Sequence, residues 1–218
     1  SIGDEKNNKA YFFLASPNFY DVSTSDLNLI TERKKYIDTI IEVDTGTGTS
    51  EPISAPVVVD VWGIIDIASN VLADNEDVEN NTVWYSFNIQ SINDYRIGMV
   101  VQAYNTNGDA MFEEGGAEIQ DVEQTGMGAG RIVLYTEQVG LGVGGWDNIA
   151  YFTFAHPKRV LNFTSNTKIT GINIIDDLLF WTDNKTEPKK INITRCKEGT
   201  DSSGKFHSWF YVYDSNDN

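Results

Sequence analysis

The stretch Ile169-Thr170-Gly171-Ile172-Asn173-Ile174-Ile175-Asp176-Asp177-Leu178-Leu179-Phe180-Trp181-Thr182-Asp183-Asn184 decides how the rest of the chain is read. Two runs of β-branched and aromatic residues flank Asp176-Asp177, the pattern of a tight hairpin. Adjacent residues of a strand point to opposite faces, so Phe180 and Trp181 place one large ring on each side. Thr182 and Asp183 then set a hydroxyl and a carboxylate at the strand end, where free backbone N–H groups need acceptors. Pro188 marks a loop that leads into a further strand over 190–194.

Outward from this hairpin, strand signals dominate. Further runs lie at 10–15, 36–43, 56–65, 83–89, 97–104, 131–136 and 149–154, separated by Gly, Asn, Asp and Ser clusters. Many are spaced as in a sandwich, barrel or propeller. Asn107-Gly108 between 100–104 and 110–112 predicts a second hairpin, because both positions accept positive φ. Thr45 to Ser50 reads as a flexible turn. No stretch keeps a 3.6-residue apolar period for three clean turns. Residues 27–36 fit a short helix, but Glu32-Arg33-Lys34-Lys35 reads equally as a solvated loop.

Two segments repeat one plan. Residues 7–16 with 37–46, and 176–184 with 188–195, each give a polar turn, an aromatic strand, a polar loop and an Ile-rich strand. Repeats of this kind mark propellers and arrays, whose units cannot bury their own faces. Between them, residues 68–147 carry acidic loops (Asp74-Asn75-Glu76-Asp77, Glu113-Glu114) and two Gly-rich bends, 126–130 and 140–145. The expectation is an all-β protein with the propeller-type blades of a partial propeller at 1–67 and 148–218, and a small β-barrel-like domain inserted at 68–147.

Composition narrows the function. The 218 residues include 32 acids and 16 bases, for a net charge of -16. Nucleic-acid binding by counterion release needs clustered Lys and Arg, and an anionic membrane would repel this chain. No apolar run approaches the roughly 20 residues of a membrane span, so no membrane anchor is expected. One cysteine, Cys196, excludes an internal disulfide framework, and aromatic residues at 12% exclude a disordered chain. The chain opens on Ser1-Ile2-Gly3, as a processed product or a piece of a longer polypeptide would.

Motifs for chemistry are sparse, and no catalytic, cofactor-binding or metal residue is assigned. Gly140 to Gly145 lacks the Gly-Lys-Ser/Thr ending of a phosphate loop, and the following 146–152 reads as a strand. Asp74–Asp77 and Asp214–Asp217 fit solvated acidic loops better than calcium loops. His156 and His207 lie in no zinc or nucleophile motif, and Cys196, after a strand and beside Arg195 and Lys197, has no visible base. A lowered thiol pKa is open there; a plain thiol is the simpler reading. Asn-x-Ser/Thr triplets at Asn80, Asn162, Asn184 and Asn192 would suggest glycans in a secreted protein, but a chain with 20 asparagines yields such triplets by chance.

Phe180-Trp181-Thr182-Asp183 resembles the Tyr-Trp-Thr-Asp repeat of low-density-lipoprotein-receptor-type β-propellers. The resemblance implies rings packed between blades and a Thr-Asp pair tying neighbouring blades. Tyr11-Phe12-Phe13-Leu14 in the first repeat lacks that pair. The longer string 169–183, with Glu187-Pro188-Lys189-Lys190-Ile191, is similar to the tail nozzle, muzzle or stabilization proteins of short-tailed phages, crAss-like phages and their relatives infecting Bacteroidota. Val57 to Val61 and Arg96 to Val101 also fit that group. This implies a non-enzymatic virion protein of the phage tail. Its partners would be copies of itself and neighbouring tail proteins in a ring, with DNA passing through unread; no cofactor is implied. An acidic wall would keep that DNA from sticking. The alternative is a secreted or surface β-propeller module that binds a protein or glycan, and a propeller glycosidase would need an organised acid pair.

Overall fold

The structure is a computed structural model and describes residues 1–17, 30–46, 53–79, 82–112, 115–135, 146–164, 166 and 168–209. Among these, thirteen strands follow in chain order: β1 (Ile2–Asp4), β2 (Lys9–Leu14), β3 (Lys34–Asp44), β4 (Ile53–Ile67), β5 (Val71–Glu79), β6 (Thr82–Ile89), β7 (Val100–Tyr104), β8 (Ala117–Gln124), β9 (Gly130–Tyr135), β10 (Tyr151–Ala155), β11 (Gly171–Ile175), β12 (Leu178–Thr182) and β13 (Lys189–Asn192). One short helix, α1 (Ile193–Glu198), follows β13. The protein is all-β in class. The described pairings leave the sheets open and do not include closure into a propeller or a barrel.

The chain divides into two units. The first holds Ser1–Pro17, Ile37–Val61 and Val160–Asn218; the second holds Asn18–Tyr36 and Trp62–Arg159. The chain passes between them after Pro17, within β3, within β4 and after Arg159.

In the first unit, β1, β2 and the parts of β3 and β4 that belong to it form one sheet in that order. A second, antiparallel sheet has the order β11-β12-β13. Both repeat segments thus fold as antiparallel pairs, β2 with β3 and β12 with β13. The Asp176-Asp177 hairpin forms as read, with Asp176 at φ 52 in the left-handed region that Asp tolerates. Tyr11, Ile40, Val57, Val58, Leu161, Phe163, Leu179, Trp181 and Ile193 make the core of this unit.

In the second unit, the remaining part of β4 leads an order β4-β10-β7-β8-β9-β6-β5. Its rings pack in close pairs: Tyr95 with Phe154 at 4.8 Å, Phe87 with Phe152 at 5.2 Å and Tyr104 stacked on Tyr151 at 5.0 Å. Asn105 to Asp109 turn the chain after β7, with Gly108 at φ 85 but Asn107 outside the left-handed region; the second strand expected over 110–112 is reduced to a single bridge, Tyr104 with Ala110.

Several local expectations are corrected. Asp74-Asn75-Glu76-Asp77 lies inside β5, opposite Ser86-Tyr85-Trp84 of β6. Pairing with that aromatic strand overrides the weak β preference of Asp and Asn, and a bulge between Ala73 and Asn75 adjusts the register. Glu32 to Lys35 is neither a helix nor a solvated loop throughout. Strand β3 begins at Lys34, while Arg33 and Lys35 reach the fully buried Asp94 at 2.9 and 2.6 Å. The strand read over 190–194 ends at Asn192, because the Asn192 side chain accepts from Arg195 N–H (2.9 Å) and caps α1. Residues 146–148 form a 3-10 turn, and the strand read from 149 begins at Tyr151. The strand read from Ile97 begins at Val100, after a turn with Gly98 at φ 83. The bend at 140–145, most of the turn at 45–50, and Asp214–Asp217 lie outside the described residues.

Candidate functional site

The first unit joins its two sheets through aromatic side chains. On β12, Leu179 and Trp181 face inward and are buried, whereas Leu178, Phe180 and Thr182 face the other side and are only half-buried. The Trp181 ring meets Phe13 of β2 edge-on, with centroids 5.6 Å apart and planes at 68°. Phe163 closes the cluster at 5.6 Å from Phe13 and 6.3 Å from Trp181. Edge-to-face rings at this separation add attraction beyond the area they bury. Phe180 and Trp181 therefore occupy opposite faces, and Trp181 is the one placed between two sheets.

The Thr182-Asp183 pair does something more local than the family resemblance implies. Asp183 Oδ1 accepts from Lys185 N–H (2.9 Å) and Thr186 N–H (2.8 Å), and Thr186 Oγ1 donates to Asp183 Oδ2 (2.9 Å). Thr182 Oγ1 accepts from Asn184 N–H (3.3 Å). These bonds hold the Asp183 carboxyl well below the usual carboxylate range. The acceptors satisfy free N–H groups, as expected of a strand end, but the N–H groups belong to their own β12–β13 loop. The expected tie to a neighbouring blade is not among the described hydrogen bonds.

Two buried carboxylates that sequence reading left unassigned clamp the chain after Arg159. Asp60 Oδ2 of β4 accepts from Val160 N–H (2.7 Å) and Leu161 N–H (3.1 Å). Asp38 of β3 accepts from Phe163 N–H (2.9 Å) through Oδ2 and from Ser16 N–H (3.3 Å) through Oδ1. Both aspartates are wholly buried. A signal existed: Tyr36-x-Asp38-x-Ile40-x-Glu42 sets acids on the buried phase of a period-two strand.

His207, Ser208 and Trp209 run beside β4. Ser208 N–H donates to Val59 O (2.8 Å), Val59 N–H to Ser208 Oγ (2.8 Å) and Trp209 N–H to Gly199 O (2.7 Å). A Cβ on Gly199 would lie 2.1 Å from Trp209 O, so only glycine permits this approach. His207 Nδ1 accepts from Val61 N–H (3.3 Å) and lies 3.6 Å from Asp60 Oδ1. Ser208 is buried and bonded to the β4 backbone and to Thr200, so it fastens this segment to the sheet.

Glu42 gathers two lysines and a phenol. Its Oε1 accepts from Lys197 (2.7 Å) and Lys9 (3.0 Å), and its Oε2 accepts from Tyr11 OH (2.8 Å). Burial alone would raise the Glu42 pKa, but the bonds from Lys197, Lys9 and Tyr11 outweigh it and lower it. A carboxyl held lower in the folded state stabilises above its unfolded pKa and loses that contribution as pH falls through the folded one. Glu42→Gln should therefore destabilise the protein at neutral pH by about 1–2 kcal/mol, a modest figure because both lysines are a third exposed. The gap between wild type and variant should close as the pH falls below the ordinary glutamate range; thermal melts across pH 7 to about 3 read it. A gap that stays constant with pH would contradict the ionic role.

Cys196 lies within α1, half-buried, and burial together with the Asp177 charge pushes its thiol pKa up against the opposing Arg195. The option of a lowered pKa is thereby overturned. His156, in the second unit, donates its N–H to Trp62 O (2.8 Å) and accepts from Lys158 N–H (3.1 Å) through Nδ1. Three of the asparagines in Asn-x-Ser/Thr triplets have backbone reasons to be there: Asn162 and Asn184 adopt φ 52 and 58, and Asn192 caps α1. The fourth, Asn80, lies outside the described residues.

A groove of about 510 Å³ opens beside β13, α1 and Trp209. Leu161, Trp181 and Ile191 contribute apolar surface to it, and Lys189, Lys190 and Arg195 contribute cations. Among the described residues no group of three His, Cys, Asp or Glu side chains is placed to hold a metal ion, and no helix is long and apolar enough to cross a membrane. Set against family models, curated proteins and solved structures, the chain matches none.

Proposed function

We propose that this chain is a structural protein of a short-tailed phage virion, a nozzle, muzzle or stabilization component that forms part of a ring around the DNA channel. The observation that carries the reading is the seating of Trp181 against Phe13 between two sheets, at 5.6 Å. Stacked sheets with rings between them are the building plan of propeller blades, and two stacked blades leave outer faces for neighbours. Phe12 and Leu14 on the far face of β2 are 40% and 46% exposed, an apolar surface suited to such contact. The net charge of -16 suits a wall that DNA passes without adhering. Strands β5 to β9 of the second unit would be the inserted β-domain of that assembly, and β10, expected in the blade segment 148–218, pairs with them through β7.

Location on the particle tests this. Gold-labelled antibody raised against the chain should decorate the tail ends of short-tailed particles in a lysate that contains it. Label confined to soluble material, with bare tails, would overturn the reading.

A further inference from the structure

We propose that the groove beside β13, α1 and Trp209 seats an acidic, apolar-tipped segment of a second copy of this chain. The inference rests on the assembly reading only in taking copies of the chain to meet. Charge makes the first argument. Residues 183–198 hold Lys185, Lys189, Lys190, Arg195 and Lys197 against Asp183, Glu187 and Glu198, in a chain of net charge -16; Glu198 lines the groove as well, and Lys197 is paired with Glu42. Such a concentration of cations on an acidic protein fits a carboxylate-bearing partner, and copies of this chain supply carboxylates in excess.

Groove chemistry makes the second. Lys189 is held by Asp183 (3.6 Å) and by Thr186, so its ammonium is fixed in place, while Lys190 and Arg195 are exposed. The same groove is lined by apolar side chains, with Val160 at 45% and Trp209 at 59% exposure. A tryptophan left this open beside an apolar groove is the residue type that dominates interface energies. A phosphate backbone would use the cations and leave the apolar surface wet, which favours a peptide over nucleic acid.

The chain also presents a complementary knob. At the β11–β12 hairpin tip, Ile175 is 53% exposed and stands next to the exposed Asp176, while the Asp177 carboxylate is taken up by Thr194 of α1. Tip and groove both adjoin α1, so two copies can exchange tips reciprocally about a two-fold axis or pass them on head-to-tail into a ring.

Sedimentation of the purified full chain over a range of concentrations tests this. Wild type should self-associate. Lys190→Glu/Arg195→Glu and, separately, Ile175→Glu should each weaken association by about tenfold or more while melting as wild type does. Mixing the two variants should restore a pair, because one retains the tip and the other the groove. Three results would overturn the proposal: a wild type that stays monomeric to its solubility limit, a groove variant that associates as wild type, or a short DNA duplex that binds wild type and not the groove variant. None of these bears on whether the chain is found on tails, so the two readings fail separately.

Discussion

Trp181→Ala lowers the stability of the protein by about 3–5 kcal/mol, the largest loss expected of any single ring in the first unit. The indole is 5% exposed and touches two other rings, Phe13 and Phe163, while its strand neighbours Ile172 and Lys189 hold β12 in register. Truncation removes the buried area and leaves a cavity that two sheets, each fixed by its own hydrogen bonds, cannot close. The melting temperature should fall on the order of 10–20 °C. Phe180→Ala, on the half-buried face of the same strand, should cost less than half as much. An unchanged melting temperature for Trp181→Ala would contradict its place between sheets.

Asp60→Ala should cost nearly as much, by a different mechanism. The carboxylate is wholly buried and accepts from Val160 and Leu161 N–H at 2.7 and 3.1 Å. Alanine would leave both donors without that acceptor, each at about 1–3 kcal/mol. Asp60→Asn keeps an acceptor oxygen and should lose only about 1–2 kcal/mol. Hydrogen exchange at Val160 and Leu161 should quicken in the alanine variant and change little in the asparagine variant. Equal destabilisation by the two substitutions would show that the clamp is not made by this oxygen.

What the sequence made legible was local. Alternation in 36–43, the Asp176-Asp177 turn and the Asn107-Gly108 turn are short-range features, and the chain follows them. The opposite faces of Phe180 and Trp181 follow from the pleat alone. Errors arose where tertiary partners decide. Asp74 to Asp77 looks like a loop until β6 lies beside it. Arg33 and Lys35 look solvated until Asp94 faces them. Asp38 and Asp60 pass as two acids among 32, because the donors Val160, Leu161 and Phe163 lie 100 to 125 residues further along the chain. The Thr182-Asp183 pair shows the limit of motif transfer: four letters fix the acceptors at a strand end, and the loop that follows chooses the donors.

A density map of the intact tail at side-chain resolution weighs the central idea most directly. It should contain a closed annulus of this chain, sheet beside sheet, with Asp and Glu side chains pointing into the bore. An annulus whose bore is neutral or basic, or copies of the chain scattered singly without a ring, would contradict it.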